Sequence, residues 1–137
     1  HAALKAHLEA IPQVSFRRVP AAGVDSCSFI SWFLPEARQT EALVEKLRAQ
    51  GILAGNFYWY QNNWHYIRKW HHLKQAASLF PLSAVQTAAL QQLEHTTFPA
   101  SDAWLSRCIS TSVSLAWTPE QIKEKGEKLS AAIKEVL

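Results

Sequence analysis

With two cysteines in 137 residues, the chain has no disulfide framework to hold it together. Cys27 and Cys108 fall inside apolar or small-residue strand patterns, share no ligand spacing, and read as buried thiols of a reducing compartment. Glycine is scarce at four residues, and Gly55 lacks the companions that a phosphate-cradling loop requires. No apolar run approaches the length of a membrane span, and the first residues lack the basic start and apolar stretch of a signal peptide, which points to the cytoplasm. An excess of charge of one sign is also missing. The formal net charge is +3 and the pI near 9.0, with cations scattered among acids except at Arg17-Arg18 and Arg68-Lys69. That balance is weak support for a nucleic-acid partner. There is no methionine, and the opening helical stretch, with Leu4, Leu8 and Ile11 on one face, begins without an N-cap. The chain reads as cut from something longer.

What is present is apolar mass: 48% of residues, including six Trp, six Phe and three Tyr, enough for one domain over 1–137 with its own core. After the opening helix, which Pro12 stops, the pattern predicts a strand from Val14 to Val19 and a second from Cys27 to Leu34, with Ile30, Trp32 and Leu34 on one face. Thr40 is the expected cap of a helix through Gln50, with Leu43, Val44 and Leu47 as its stripe and Gly51 as its stop. A strand at Ile52 to Asn56 would complete a β-α-β unit. Ser83 and Gln86 make a capping-box pair for another helix, with a modest stripe at Leu90 and Leu93. A short helix from Ser101 to Arg107 leads to a strand from Cys108 to Leu115, where Ile109, Thr111, Val113 and Leu115 alternate with serines. In the last helix Thr118 is the cap, Pro119 the first helical residue and Gln121 the box partner, with a staple between Trp117 and Ile122. Its apolar face is Ile122, Gly126, Leu129, Ile133 and Val136, with Gly126 expected to let the helix approach the sheet. The fold class is α/β, an α+β two-layer sandwich with helices on one face of one sheet.

The segment from Gly55 to His72 packs rings, amides and cations without the period of a helix or a strand. Such a segment suits a polar ligand. Asn62 and Asn63 offer donors and acceptors to sugar hydroxyls, and Trp59 or Trp64 can stack on a pyranose face. His65 and Tyr66 can hydrogen-bond to a substrate or a phosphate. Arg68 suits a carboxylate, because its planar fork reaches both oxygens. Each residue has a plainer reading as well: the rings can fill an interface, and Arg68 can serve a surface or interface ion pair. His65, His71 and His72 lie close in sequence, but the adjacent pair diverges on a helix, so zinc is disfavoured. Arg107 is expected to cap the carbonyls of the short helix before it.

The order of these elements resembles the C-terminal domain of the DegT/StrS sugar aminotransferases, over essentially the entire chain. The likeness rests on Leu105-Ser106, Arg107 and Thr118-Pro119-Glu120, and on the aromatic segment. The run from Asn62 to Trp70 is most similar to the branch that installs an amino group on a keto form of 3-deoxy-octulosonate, making 8-amino-3,8-dideoxy-octulosonate for lipopolysaccharide. The resemblance implies the small C-terminal domain of a fold-type I enzyme that uses pyridoxal phosphate, transfers an amine from a donor such as glutamate to a keto-sugar, and works as a dimer. It implies that the catalytic lysine and the cofactor's other contacts lie in a preceding large domain, since no lysine of this chain sits in the family's lysine motif. Asn62, Asn63, Trp64, His65, Tyr66 and Arg68 are then the substrate-binding candidates. Two other classes stay open on the residues alone: a single-stranded nucleic-acid module, whose rings and cations would form a stacking platform, and a stand-alone carbohydrate-binding domain.

Overall fold

The computed structural model describes residues 1–20, 25–52 and 66–137. Along the chain run α1 (Ala2–Glu9), β1 (Ser15–Phe16), β2 (Phe29–Phe33), α2 (Ala37–Ala49), a 3-10 turn (Ile67–Lys69), α3 (His71–Lys74), α4 (Ala84–Gln92), α5 (Pro99–Leu105), β3 (Cys108–Ser112) and α6 (Pro119–Lys134). The described strands form one antiparallel sheet in the order β1-β2-β3. Helices and this small sheet together are compatible with an α/β domain. The strand expected at Ile52 to Asn56 lies, apart from Ile52, outside the described residues, and the β-α-β unit with it.

The large core side chains of the sheet alternate along β2, although Ser31 between Ile30 and Trp32 and Cys108 beside Ile109 are buried as well. In β2, Ile30 and Trp32 are buried, as is Leu34 just beyond the strand, and opposite them in β3 stand Thr111 and Ile109. The Trp32 indole is fully buried and donates its Nε1–H to Thr111 Oγ1 at 2.9 Å, so the largest core side chain leaves no orphan donor. Leu4 and Leu8 of α1, Ile11 and Val14 after it, Leu43, Val44 and Leu47 of α2, and Leu129, Ala132 and Ile133 of α6 complete the cluster. Each of the buried Leu, Ile and Val side chains contributes roughly 1.5–3 kcal/mol by leaving water.

Several boundaries differ from the sequence pattern, each for a local reason. Helix α2 begins at Ala37, not after Thr40, because Glu36 is extended and its N–H donates to Gln39 Oε1 at 3.2 Å. Thr40 is instead a fully buried residue inside the helix, its hydroxyl donating back to the Glu36 carbonyl at 3.0 Å. Gly51 does stop the helix, in the left-handed region at φ 65°. Helix α5 starts two residues earlier than the pattern suggests, with Pro99 as its first residue. Strand β3 ends at Ser112 because its partner β2 begins at Phe29; Leu115, expected on the core face, is fully exposed. Cys108 is buried, whereas Cys27 is exposed, since it lies in the bend before β2 with φ 57°. Burial pushes the Cys108 thiol up to about 11, leaving it inert.

Helix α6 has the expected capping box: Thr118 Oγ1 accepts from the Gln121 N–H at 3.3 Å, and Gln121 Oε1 from the Thr118 N–H at 3.0 Å. Trp117 and Ile122 are both half-buried against the core. Gly126 is buried, but its close neighbour is α1, not the sheet: a Cβ there would lie 2.3 Å from His7 Cδ2. Ser130 Oγ donates to the His7 carbonyl at 3.3 Å, tying the two helices at the same crossing. Among the described residues, no helix is long and apolar enough to cross a membrane.

Candidate functional site

The described end of the aromatic segment is held by one carboxylate. Tyr66 precedes the 3-10 turn, and its carbonyl accepts the Lys69 N–H at 2.8 Å. That turn presents the side chains of Tyr66 and Arg68 together to α5. Tyr66 is 3% exposed; its hydroxyl donates to Asp102 Oδ1 at 2.5 Å, and its ring meets Phe98 edge-on with centroids 6.4 Å apart. Arg68 Nη1 donates to the other oxygen of the same carboxylate, Oδ2. Asp102 lies in the first turn of α5, where the exposed N–H groups of the helix favour an anion.

Burial is the main reason that the Tyr66 phenol is pushed up to about 12, and the hydrogen bond and charge of Asp102 add to it, while Arg68 works the other way. Tyr66 is therefore a proton donor across the working range of a cell and not a base. Asp102 accepts twice, from a phenol and from a guanidinium. The trio contains no nucleophile and no poised acid–base pair.

Of the other candidates, Asn62, Asn63, Trp64 and His65, and with them Trp59, lie outside the described residues. Tyr66 and Arg68 are brought together, through a residue the local pattern did not single out. Asp102 is 36 residues from Tyr66, and its only local signal is an acid in the first turn of a short helix. Arg107 behaves as expected. Its Nε donates to the Ala103 carbonyl at 2.8 Å and its Nη1 to the Leu34 and Pro35 carbonyls at 3.3 and 3.4 Å, locking α5 to the end of β2. The same guanidinium lies 5.0 Å from the Trp104 ring, which meets Phe33 edge-on at 5.4 Å. His72 stacks on Trp70, and among the described residues neither His71 nor His72 joins a group of three metal-ligating side chains.

The lysines do not fit a pyridoxal phosphate site. None is buried; Lys5 pairs with Glu9, Lys46 with Glu135, Lys123 with Glu127 and Lys128 with Glu124, and Lys125 lies over Trp117. An amine that is to hold an aldehyde must be sequestered and stripped of such partners. No family model matches the chain.

Proposed function

We propose that this chain is the small, substrate-covering domain of a pyridoxal phosphate-dependent sugar aminotransferase of the DegT/StrS type, acting in the cytoplasm as part of a dimer. The observation that carries the reading is α4. It has a complete capping box, with Ser83 Oγ accepting from the Gln86 N–H at 3.2 Å and Gln86 Oε1 from the Ser83 N–H at 2.9 Å, yet it buries no residue. Val85 is 80% exposed, and Leu79 and Phe80 just before the helix are 97% and 79% exposed. A nine-residue helix does not persist in water on its own propensity. A well-capped helix beside bare apolar side chains fits a face that another domain covers. The large domain of an aminotransferase is such a cover.

In this reading the cofactor belongs to the large domain and supplies the electron sink for amine transfer. This chain's own residues orient the keto-sugar and exclude water. Arg68, steadied by Asp102, faces the acid group of a keto-octulosonate, Asn62, Asn63, Trp64 and His65 meet its hydroxyls and ring, and Tyr66, buried and bonded to Asp102, supports Arg68 from behind instead of touching the substrate. The test is Arg68→Ala in the intact polypeptide. Use of the keto-sugar should fall by roughly 100-fold, as for a lost charge-assisted pair, while release of 2-oxoglutarate from glutamate is nearly unchanged. Equal losses in both half-reactions would make Arg68 a structural ion-pair partner and remove it from the substrate site.

A further inference from the structure

An imidazole, a carboxylate and a thiol converge where α1 begins beside the bend ahead of β2. Donor atoms of His1, Asp25 and Cys27 all lie within 4.8 Å of one another. They border a cavity of about 410 Å³ that is also lined by Lys5, Phe16 and Arg17. The arrangement is held from behind: Asp25 Oδ1 accepts the Cys27 N–H at 3.0 Å, and Oδ2 accepts Arg17 Nη2 at 2.8 Å. Cys27 is at φ 57°, a conformation that a residue with a Cβ seldom adopts.

We propose that His1, Asp25 and Cys27 form a three-ligand site for a thiophilic divalent cation, Zn²⁺ by its ligand chemistry, with the fourth position open to the cavity. A thiolate excludes Mg²⁺ and Ca²⁺, which take oxygen ligands, whereas zinc accepts nitrogen, oxygen and sulfur together. Tetrahedral bonds of zinc-site length set neighbouring donors roughly 3.5 Å apart, and rotation of the exposed Cys27 side chain closes what remains of the gap. Arg17 and the Cys27 N–H fix the carboxylate as outer hydrogen-bond partners fix the ligands of metal sites. Carboxylate and thiolate together balance the two charges of the ion, and the proton of the thiol leaves to solvent on binding. Lys5, the other cation on the wall, is paired with Glu9 at 2.8 Å.

The test is titration of Co²⁺, then Zn²⁺, into the 137-residue chain with its α-amine acetylated, so that the terminal amine cannot chelate together with the His1 ring. The expected result is one Co²⁺ per chain with a thiolate-to-cobalt charge-transfer absorption that Zn²⁺ abolishes. Cys27→Ser should remove that band, and both Cys27→Ser and Asp25→Asn should weaken Zn²⁺ binding by at least about 10- to 100-fold, with circular dichroism unchanged. Absence of the band, its survival in Cys27→Ser, or binding only by the chain with a free terminal amine would overturn the assignment.

Discussion

A single carboxylate decides the chemistry of the described end of the aromatic segment. Asp102 has two oxygens and gives one each to the Tyr66 phenol and the Arg68 guanidinium. The phenol's ordinary value of 10.0 is raised to about 12 in the fold. A group that holds its proton more tightly when folded contributes fully below its unfolded value, and that contribution is lost as pH rises through the folded one. Tyr66→Phe should therefore lower stability at neutral pH by about 1–2 kcal/mol in urea unfolding. The gap between wild type and variant should then close as pH rises from 10 to 12. A gap that stays constant over that window would mean that the phenol is neither buried nor donating to Asp102. Sequence alone left Arg68 between a ligand and an ion pair, because its partner lies 34 residues away and no periodicity connects them.

At the scale of elements, the crossing of α1 and α6 is set by a missing side chain. Alanine at position 126 would gain about 1 kcal/mol in helix propensity, but its Cβ would fall 2.5 Å from His7 Cγ, near the root of that ring, so the ring cannot simply swing clear. Overpacking of this kind costs about 1–3 kcal/mol. Gly126→Ala should thus destabilise the wild type yet stabilise His7→Ala, a reversal of sign that thermal unfolding of the four proteins measures. Equal effects in both backgrounds would place the close contact elsewhere. The sequence made α6 legible from end to end because a capping box, an N1 proline and an apolar stripe are all local signals. The partner of Gly126 was not legible, since a glycine announces close approach without saying to what. The alternation of Ile30, Trp32 and Leu34 was readable, but the point where β3 runs out was not: it depends on where a strand some 80 residues earlier begins. Helix α4 was legible by its cap, whereas the modest stripe expected at Leu90 and Leu93 is not buried. With nothing buried, its amides in the isolated chain should exchange close to the unprotected rate, while those of α6 around Leu129 and Ile133 exchange only through global unfolding. Protection of α4 matching that of α6 would show that the isolated chain already covers it.

At the scale of the whole molecule, the helices α1, α2 and α6 and the sheet share one cluster of buried side chains, whereas α3 and α4 bury none. Leu79, Phe80 and Val85 stay exposed at and just before α4, and it is there that the proposed large domain would sit. Of the surface lysines, Lys5, Lys46, Lys123 and Lys128 are ion-paired and Lys125 lies over Trp117, and in the proposed function it is Arg68, held with Tyr66 on Asp102, that orients the substrate. The measurement that tests this most directly is amine transfer from glutamate to a keto-octulosonate with added pyridoxal phosphate, assayed for the uninterrupted polypeptide that contains residues 1–137 and for the 137-residue chain alone. The account predicts amino-sugar formation by the former and none by the latter. Turnover by the isolated chain, or failure of the intact polypeptide to release 2-oxoglutarate from glutamate, would contradict it.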